Sequence, residues 1–204
     1  MSQSIIPEPY FYESGQFLVG KQKNYFSQFG EDGLIQATFE NYGMQNKHCL
    51  EVGAADGIFF SNTRKLMEEG WNCIWIESDK EKYGKLEQCA NDKIVTVFEH
   101  VQSGSLDRIL DQFNAPIDID FVCIDVDGQD FYIWEGMKKY CPRVILIEYG
   151  RASDTTDDDT LPLEGAEGQA GMNPIIELGR SKGYVSLVRT YVNLLFVRKD
   201  VCEA

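Results

Sequence analysis

Cys49-Leu50-Glu51-Val52-Gly53-Ala54-Ala55-Asp56-Gly57 decides the fold: an apolar run ends in a turn of small residues, and a helical pattern follows. Small residues after a strand let the backbone approach a ligand closely, as at the first strand-to-helix turn of a wound α/β sheet. Outward from this turn, short apolar runs at 48–52, 72–76, 94–98, 119–124 and 144–148 alternate with helical patterns. That alternation predicts βαβ units and a mostly parallel sheet with helices on both faces. The helical patterns are Asn62 to Glu69, Asp79 to Ala90, a segment opened by Ser105, and Asp130 to Tyr140. Upstream, Ser27 to Gly43 carries a capping serine, acids in its first turn and a closing glycine, which predicts one more helix. Downstream, Asn173-Pro174 opens a helix closed by Gly183, and the runs 184–189 and 193–198 lie close enough to form an antiparallel hairpin.

Two stretches lack a period. Residues 1–24 are polar and aromatic and predict an N-terminal arm, with one domain over 25–204. Residues 151–172 hold Asp154, Asp157, Asp158, Asp159, Glu164 and Glu167 with three glycines, and predict a mobile acidic loop rather than a metal cage. The chain of 204 residues has 43% hydrophobic and 25% charged residues, ordinary globular values. Its formal net charge of −14 opposes binding to a polyphosphate backbone, so nucleic acid is not an expected partner. Six scattered cysteines form no C-x-x-C pair and read as reduced packing residues. No leader pattern and no apolar stretch of roughly 18 residues occurs, so no membrane partner is expected and the cytoplasm is the expected address. Nothing in the sequence fixes the oligomeric state.

The turn at 53–57 lacks the G-x-G-x-x-G spacing that brings a pyrophosphate onto a helix N-terminus, which disfavours a nicotinamide-dependent oxidoreductase. It carries Glu51 and Asp56 instead, and such acids favour a ligand bearing an ammonium and a sulfonium, as S-adenosylmethionine does. Glu77 ends the second strand a little over twenty residues later, where an acid accepts hydrogen bonds from ribose hydroxyls. With Gly53, Ala54, Gly57, Asn62 and Ser78, these residues form the expected cofactor set.

The fourth strand runs into Ile124-Asp125-Val126-Asp127-Gly128-Gln129-Asp130 and the fifth ends Ile147-Glu148-Tyr149, both at the carboxyl edge where wound sheets bind ligands. Asp125, Asp127 and Glu148 are the catalytic candidates. The roles open to them are a general base for a hydroxyl, support for a sulfonium, or oxygen ligands for a divalent cation such as Mg²⁺ held by Asp125 and Glu148. Turn chemistry at Asp127-Gly128 and helix capping by Asp130 are the plainer alternatives. Of the two histidines, His48 begins a strand and His100 follows the third strand, a weaker base candidate.

Taken in order, Glu51 to Gly57, Ser105 to Asp107, Ile124 to Gly128 and Glu148 resemble the FkbM-type class I methyltransferases. Ser27-Gln28-Phe29-Gly30-Glu31-Asp32 and Asp125 to Trp134 resemble one poorly characterised branch of them. The resemblance covers nearly the whole chain. It implies a Rossmann-like sheet of seven strands whose last is antiparallel, S-adenosylmethionine as cofactor, and O-methylation of a small molecule or glycan hydroxyl. It also implies Gln28 near the cofactor and Val101-Gln102 near the adenine. The chain departs from the pattern at Ala55, where many methyltransferases have glycine, and at Gly150, where the branch often has asparagine. A binding or scaffold module that keeps the fold without turnover is the alternative of another class.

Overall fold

The computed structural model describes residues 8–150 and 158–203. Residues 1–7 of the expected arm and 151–157 of the expected acidic loop, with Asp154 and Asp157, lie outside them. In chain order the elements are β1 (Tyr10–Phe11), α1 (Glu31–Tyr42), β2 (His48–Val52), α2 (Arg64–Glu68), β3 (Asn72–Glu77), α3 (Lys80–Leu86), β4 (Ile94–Phe98) and α4 (Ser105–Gln112). They continue as β5 (Phe121–Ile124), α5 (Asp130–Gly136), β6 (Val144–Glu148), α6 (Met172–Ser181), β7 (Tyr184–Arg189), β8 (Asn193–Arg198) and α7 (Lys199–Cys202). All eight strands join one sheet in the order β1-β7-β8-β6-β5-β2-β3-β4.

The five strands β4, β3, β2, β5 and β6 run parallel, whereas β8 is antiparallel to both β6 and β7. The chain winds outward from β2 to β3 and β4, then returns to its other side for β5 and β6. The reversal between β2 and β5 is a topological switch point, and it opens a crevice at the carboxyl edge of those two strands.

Side chains alternate between the two faces, because successive residues of a strand point to opposite sides. Leu50, Val52, Ile74, Ile76, Val122, Ile124, Ile145 and Ile147 join one core with Leu106, Ile109 and Leu110 of α4 and Ile133 and Trp134 of α5. Cys49, Cys73, Trp75, Phe121, Cys123, Val144 and Leu146 join the other with Leu34, Ile35 and Phe39 of α1 and Leu66 of α2. Both faces are therefore covered, as a parallel sheet requires. The cysteines of these strands are free and buried.

Several elements differ from the sequence expectations. In the described part of the arm, Tyr10 and Phe11 pair with Arg189 and Val188 as an eighth strand, and a 3-10 helix over Glu13–Leu18 buries Leu18 completely. Two residues and one 3-10 turn are too short to leave a period in the sequence. The helix expected from Ser27 starts at Glu31, because Gly30 adopts φ 95 and breaks the entry. The helix expected to run from Asp130 to Tyr140 stops at Gly136; the Asp107 carboxylate accepts from the backbone N–H groups of Lys138 and Lys139, which holds that stretch as a loop. In the acidic stretch, the described residues before Met172 form no helix or strand.

Candidate functional site

The turn after β2 is fixed by backbone geometry first. The N–H groups of Gly53 and Ala54 both donate to the Ile76 carbonyl, and Asp125 N–H donates to the Val52 carbonyl. Gly53 has φ +85, and a Cβ there would lie 1.8 Å from the Asp125 carbonyl oxygen. No side chain fits at this position, so the β2 turn and the β5 turn lie against each other.

Around this junction lies a cavity of about 790 Å³. Gln28, Gly53, Ala54, Asp56, Asn62, Glu77, Ser78 and Val101 of the expected cofactor set line it, and so do Asp125, Asp127 and Glu148. Glu51, Gly57 and Gln102 do not. The lining holds nine carboxylates (Glu31, Asp56, Glu77, Asp79, Glu99, Asp125, Asp127, Glu148 and Glu167) against Lys82, Lys85 and His100, so it favours a cationic ligand.

Register explains why two acids of similar sequence setting part company. Glu51 is level with Trp75, whereas Val52 is level with Ile76, so Glu77 stands one residue beyond the end of β2. Glu51 is 3% exposed and points into the core side of the sheet. Its carboxylate accepts from Ser61 Oγ at 2.7 Å, Asn62 N at 2.7 Å and Thr63 Oγ1 at 2.5 Å. Burial raises its pKa above the ordinary range, opposed by those hydrogen bonds. Gly57, at φ +73, packs instead against Trp75 and Leu86.

Glu77 accepts from Ala55 N at 2.9 Å through Oε2, and from Ser78 N and Asp79 N at 2.7 Å through Oε1. A carboxylate offers about four lone-pair positions, so one stays free on an oriented group at the cavity wall. Asp56 Oδ1 accepts from Ile58 N and Phe59 N, and these bonds lower its pKa.

Beyond the junction, carboxyls face one another. Asp125 and Glu148 each follow a paired residue, Ile124 and Ile147, so they emerge side by side from β5 and β6. Burial, then the charges of Asp130, Glu51 and Asp127, push Asp125 up to about 7. Burial, then the charge of Asp125, push Glu148 up to about 9, and Glu148 donates its proton in a hydrogen bond to Asp125. Gln169 Nε2 donates to Glu148 Oε2 at 2.5 Å. Asp127 is exposed at φ 57, on a turn held by the Asp130 carboxylate, which accepts from Val126 N and Gly128 N. Burial pushes Asp130 up to about 6. Among the described residues no group of three or more His, Cys, Asp or Glu side chains is placed to hold a metal ion, so the expected Asp125–Glu148 cation site is not supported. The two carboxyls share a hydrogen bond with each other instead.

Several lining residues had no role in the sequence reading. Glu31 accepts from Phe29 N, Thr190 Oγ1 and Asn193 Nδ2, and the Asp32 Oδ2 atom accepts from the N–H groups of Tyr25, Phe26 and Ser27. Together they hold the 24–30 loop so that Gln28 reaches the cavity. Glu31 lies in a motif the sequence did show; Asn193 and Val192 left no signal. Ala166, Glu167 and Gly168 also line the cavity. The Gln129 side chain donates to the Ala166 carbonyl and accepts from Gly165 N, and Tyr132 OH donates to the Pro162 carbonyl.

The sheet order and the insertion of the last strand, β8, antiparallel between β6 and β7 are those of a Rossmann-like methyltransferase fold. A TehB-like S-adenosylmethionine-dependent methyltransferase from Corynebacterium glutamicum superposes with a TM-score of 0.51 at 12% identity, over 89% of this chain and 92% of that one. The precorrin-6y C5,15-methyltransferase from Geobacter metallireducens gives 0.51 at 13% identity, over 87% and 93%. The glycopeptide N-methyltransferase MtfA, in complex with S-adenosylmethionine, gives 0.50 at 11% identity, over 87% and 96%. No protein-family model and no curated protein sequence matches the chain. Among the described residues no helix is long and apolar enough to cross a membrane.

Proposed function

We propose that the chain is an S-adenosylmethionine-dependent methyltransferase, built as one domain over 25–204, that methylates a hydroxyl on a small molecule or sugar. The observation that carries this reading is the convergence of Glu77 and Asp125 on one acidic cavity at the switch point of a methyltransferase fold. Glu77 turns its free lone pair toward ribose hydroxyls, and the backbone of Gly53 to Ala55 admits the ligand closely. Ser78 and Val101 flank the same wall, and Gln28 closes the end beside Glu31. When bound, the cofactor supplies an activated methyl group on a positively charged sulfur.

The protein then has to align the acceptor and remove its proton. Asp125 is the base: raised to about 7, it is part ionised at neutral pH, and the Glu148 proton fixes its orientation. The 151–172 loop is the lid, and its described part, 158–171, is docked by Gln129 and Tyr132 and touches the base pair through Gln169.

Isothermal titration with S-adenosylmethionine tests the reading: saturable binding is expected, and no heat at millimolar ligand overturns it. Glu77→Gln removes the charge on the wall and weakens that binding by about tenfold or more, the worth of one hydrogen bond to a charged group.

A further inference from the structure

Between the two anchoring carboxylates of the β2 turn, the loop pushes apolar groups into solvent. Asp56 Oδ1 holds Ile58 N and Phe59 N at one end, and Glu51 holds Ser61, Asn62 and Thr63 at the other. Between them Phe59 is 65% exposed and Phe60 45%, with ring centroids 3.9 Å apart. Phe60 stands at φ 60, a conformation that a bulky side chain adopts only when its surroundings impose it. Both rings line the acidic cavity.

A loop tied at both ends that spends backbone strain to present two adjoining rings, tilted by 38° to each other, is arranged in advance for a flat apolar partner. The net charge of −14 disfavours an anionic membrane surface as that partner.

We propose that Phe59 and Phe60 form the acceptor platform of the cleft and that the acceptor is a phenol, a flat ring bearing an ionisable hydroxyl. This rests on the methyl-transfer reading for its chemistry, though not for the binding. A phenolic hydroxyl ionises at about 10, against about 15.7 for water. Asp125, raised to about 7, is a far better matched base for the phenol than for a water-like hydroxyl of a sugar. In the step itself the phenolic oxygen forms a bond to the methyl carbon and its proton passes to Asp125. The carbon–sulfur bond of the sulfonium donor breaks, and its electron pair stays on sulfur as a neutral thioether.

The test titrates the ¹⁵N-labelled full chain, with and without S-adenosylhomocysteine, using 4-ethylphenol and glucose as probes and the amide signals of Ile58 to Ser61 as readout. Saturable shifts at those amides are expected, with 4-ethylphenol bound about tenfold or more tighter than glucose. Phe59→Ala and Phe60→Ala remove exposed rings, so the fold stays intact, as an unchanged thermal midpoint checks. Each variant weakens 4-ethylphenol by about threefold to tenfold and leaves S-adenosylmethionine affinity within about twofold. Equal affinity for the two probes, or shifts that bypass the loop, overturns the proposal. So does an equal loss of cofactor affinity, which assigns the rings to the cofactor. If 4-ethylphenol binds as expected while S-adenosylmethionine does not bind, the platform stands and the methyl-transfer reading falls.

Discussion

The two halves of the cleft are equally acidic and handle their charge in opposite ways. On the β2–β3 side the carboxylates are held by protein donors: Glu51, behind the cavity wall, by two hydroxyls and a backbone N–H, and Glu77 by three backbone N–H groups that leave one acceptor position open. On the β5–β6 side, Asp125 and Glu148 have each other and the Gln169 amide. Hydrogen bonds from fixed donors make a carboxylate a rigid wall, whereas a neighbouring carboxylate raises its pKa and makes it a proton store. One acidic cavity thus contains a positioning half and a titrating half.

The sharpest way to break the contrast is at the seam between the halves. Gly53→Ala drives a Cβ into the Asp125 carbonyl at φ +85 and is expected to cost more than about 3 kcal/mol, read as a fall in the urea midpoint or loss of soluble protein. Next comes the positioning half. Glu51→Gln puts an N–H₂ against either the Asn62 N–H at one oxygen or the Ser61 and Thr63 hydroxyls at the other, at a cost of about 2 kcal/mol in denaturant unfolding.

The titrating half responds to pH instead. Folded-state pKa values of about 7 and about 9 lie above the unfolded carboxyl value of about 4. From about pH 4 upward the unfolded chain therefore gives up protons that the folded pair keeps, and stability falls until both folded values are passed. Unfolding midpoints should decline from pH 5 to pH 9, and Glu148→Gln should flatten the upper part of that decline. Over the same range methyl transfer should rise with a midpoint near 7 as Asp125 ionises. The smallest effect belongs to Ala55→Gly. Ala55 sits at φ 49, where glycine is unstrained but costs more to order, so the unfolding free energy should change by less than about 1 kcal/mol.

The same contrast marks how far the sequence could be read. The wound sheet was legible because its strands are mostly apolar runs punctuated by helices, and the β7–β8 hairpin because its two runs are nearly adjacent. That Asp125 and Glu148 reach a common cavity was legible from their place at strand ends. The inward turn of Glu51 was not, since it depends on Glu51 lying level with Trp75, two residues short of Glu77, inside the paired part of β2 and β3. Nor was the docking of 158–171, which runs through the side chains of Gln129 and Tyr132, thirty residues or more from their partners. Ala55 looked like a missing glycine, and the structure places it at the positive φ where a glycine would sit.

The small strand β1 has a consequence for how the molecule comes together. Tyr10 and Phe11 pair with Arg189 and Val188, and Gly15 lies so close to Leu187 that a Cβ would stand 1.8 Å from its carbonyl oxygen. These residues are made long before their partners, which lie far downstream in the chain. The β1 segment must therefore wait, unpaired, until the β7–β8 hairpin has formed, and then seal that border of the sheet against pairing with a stranger.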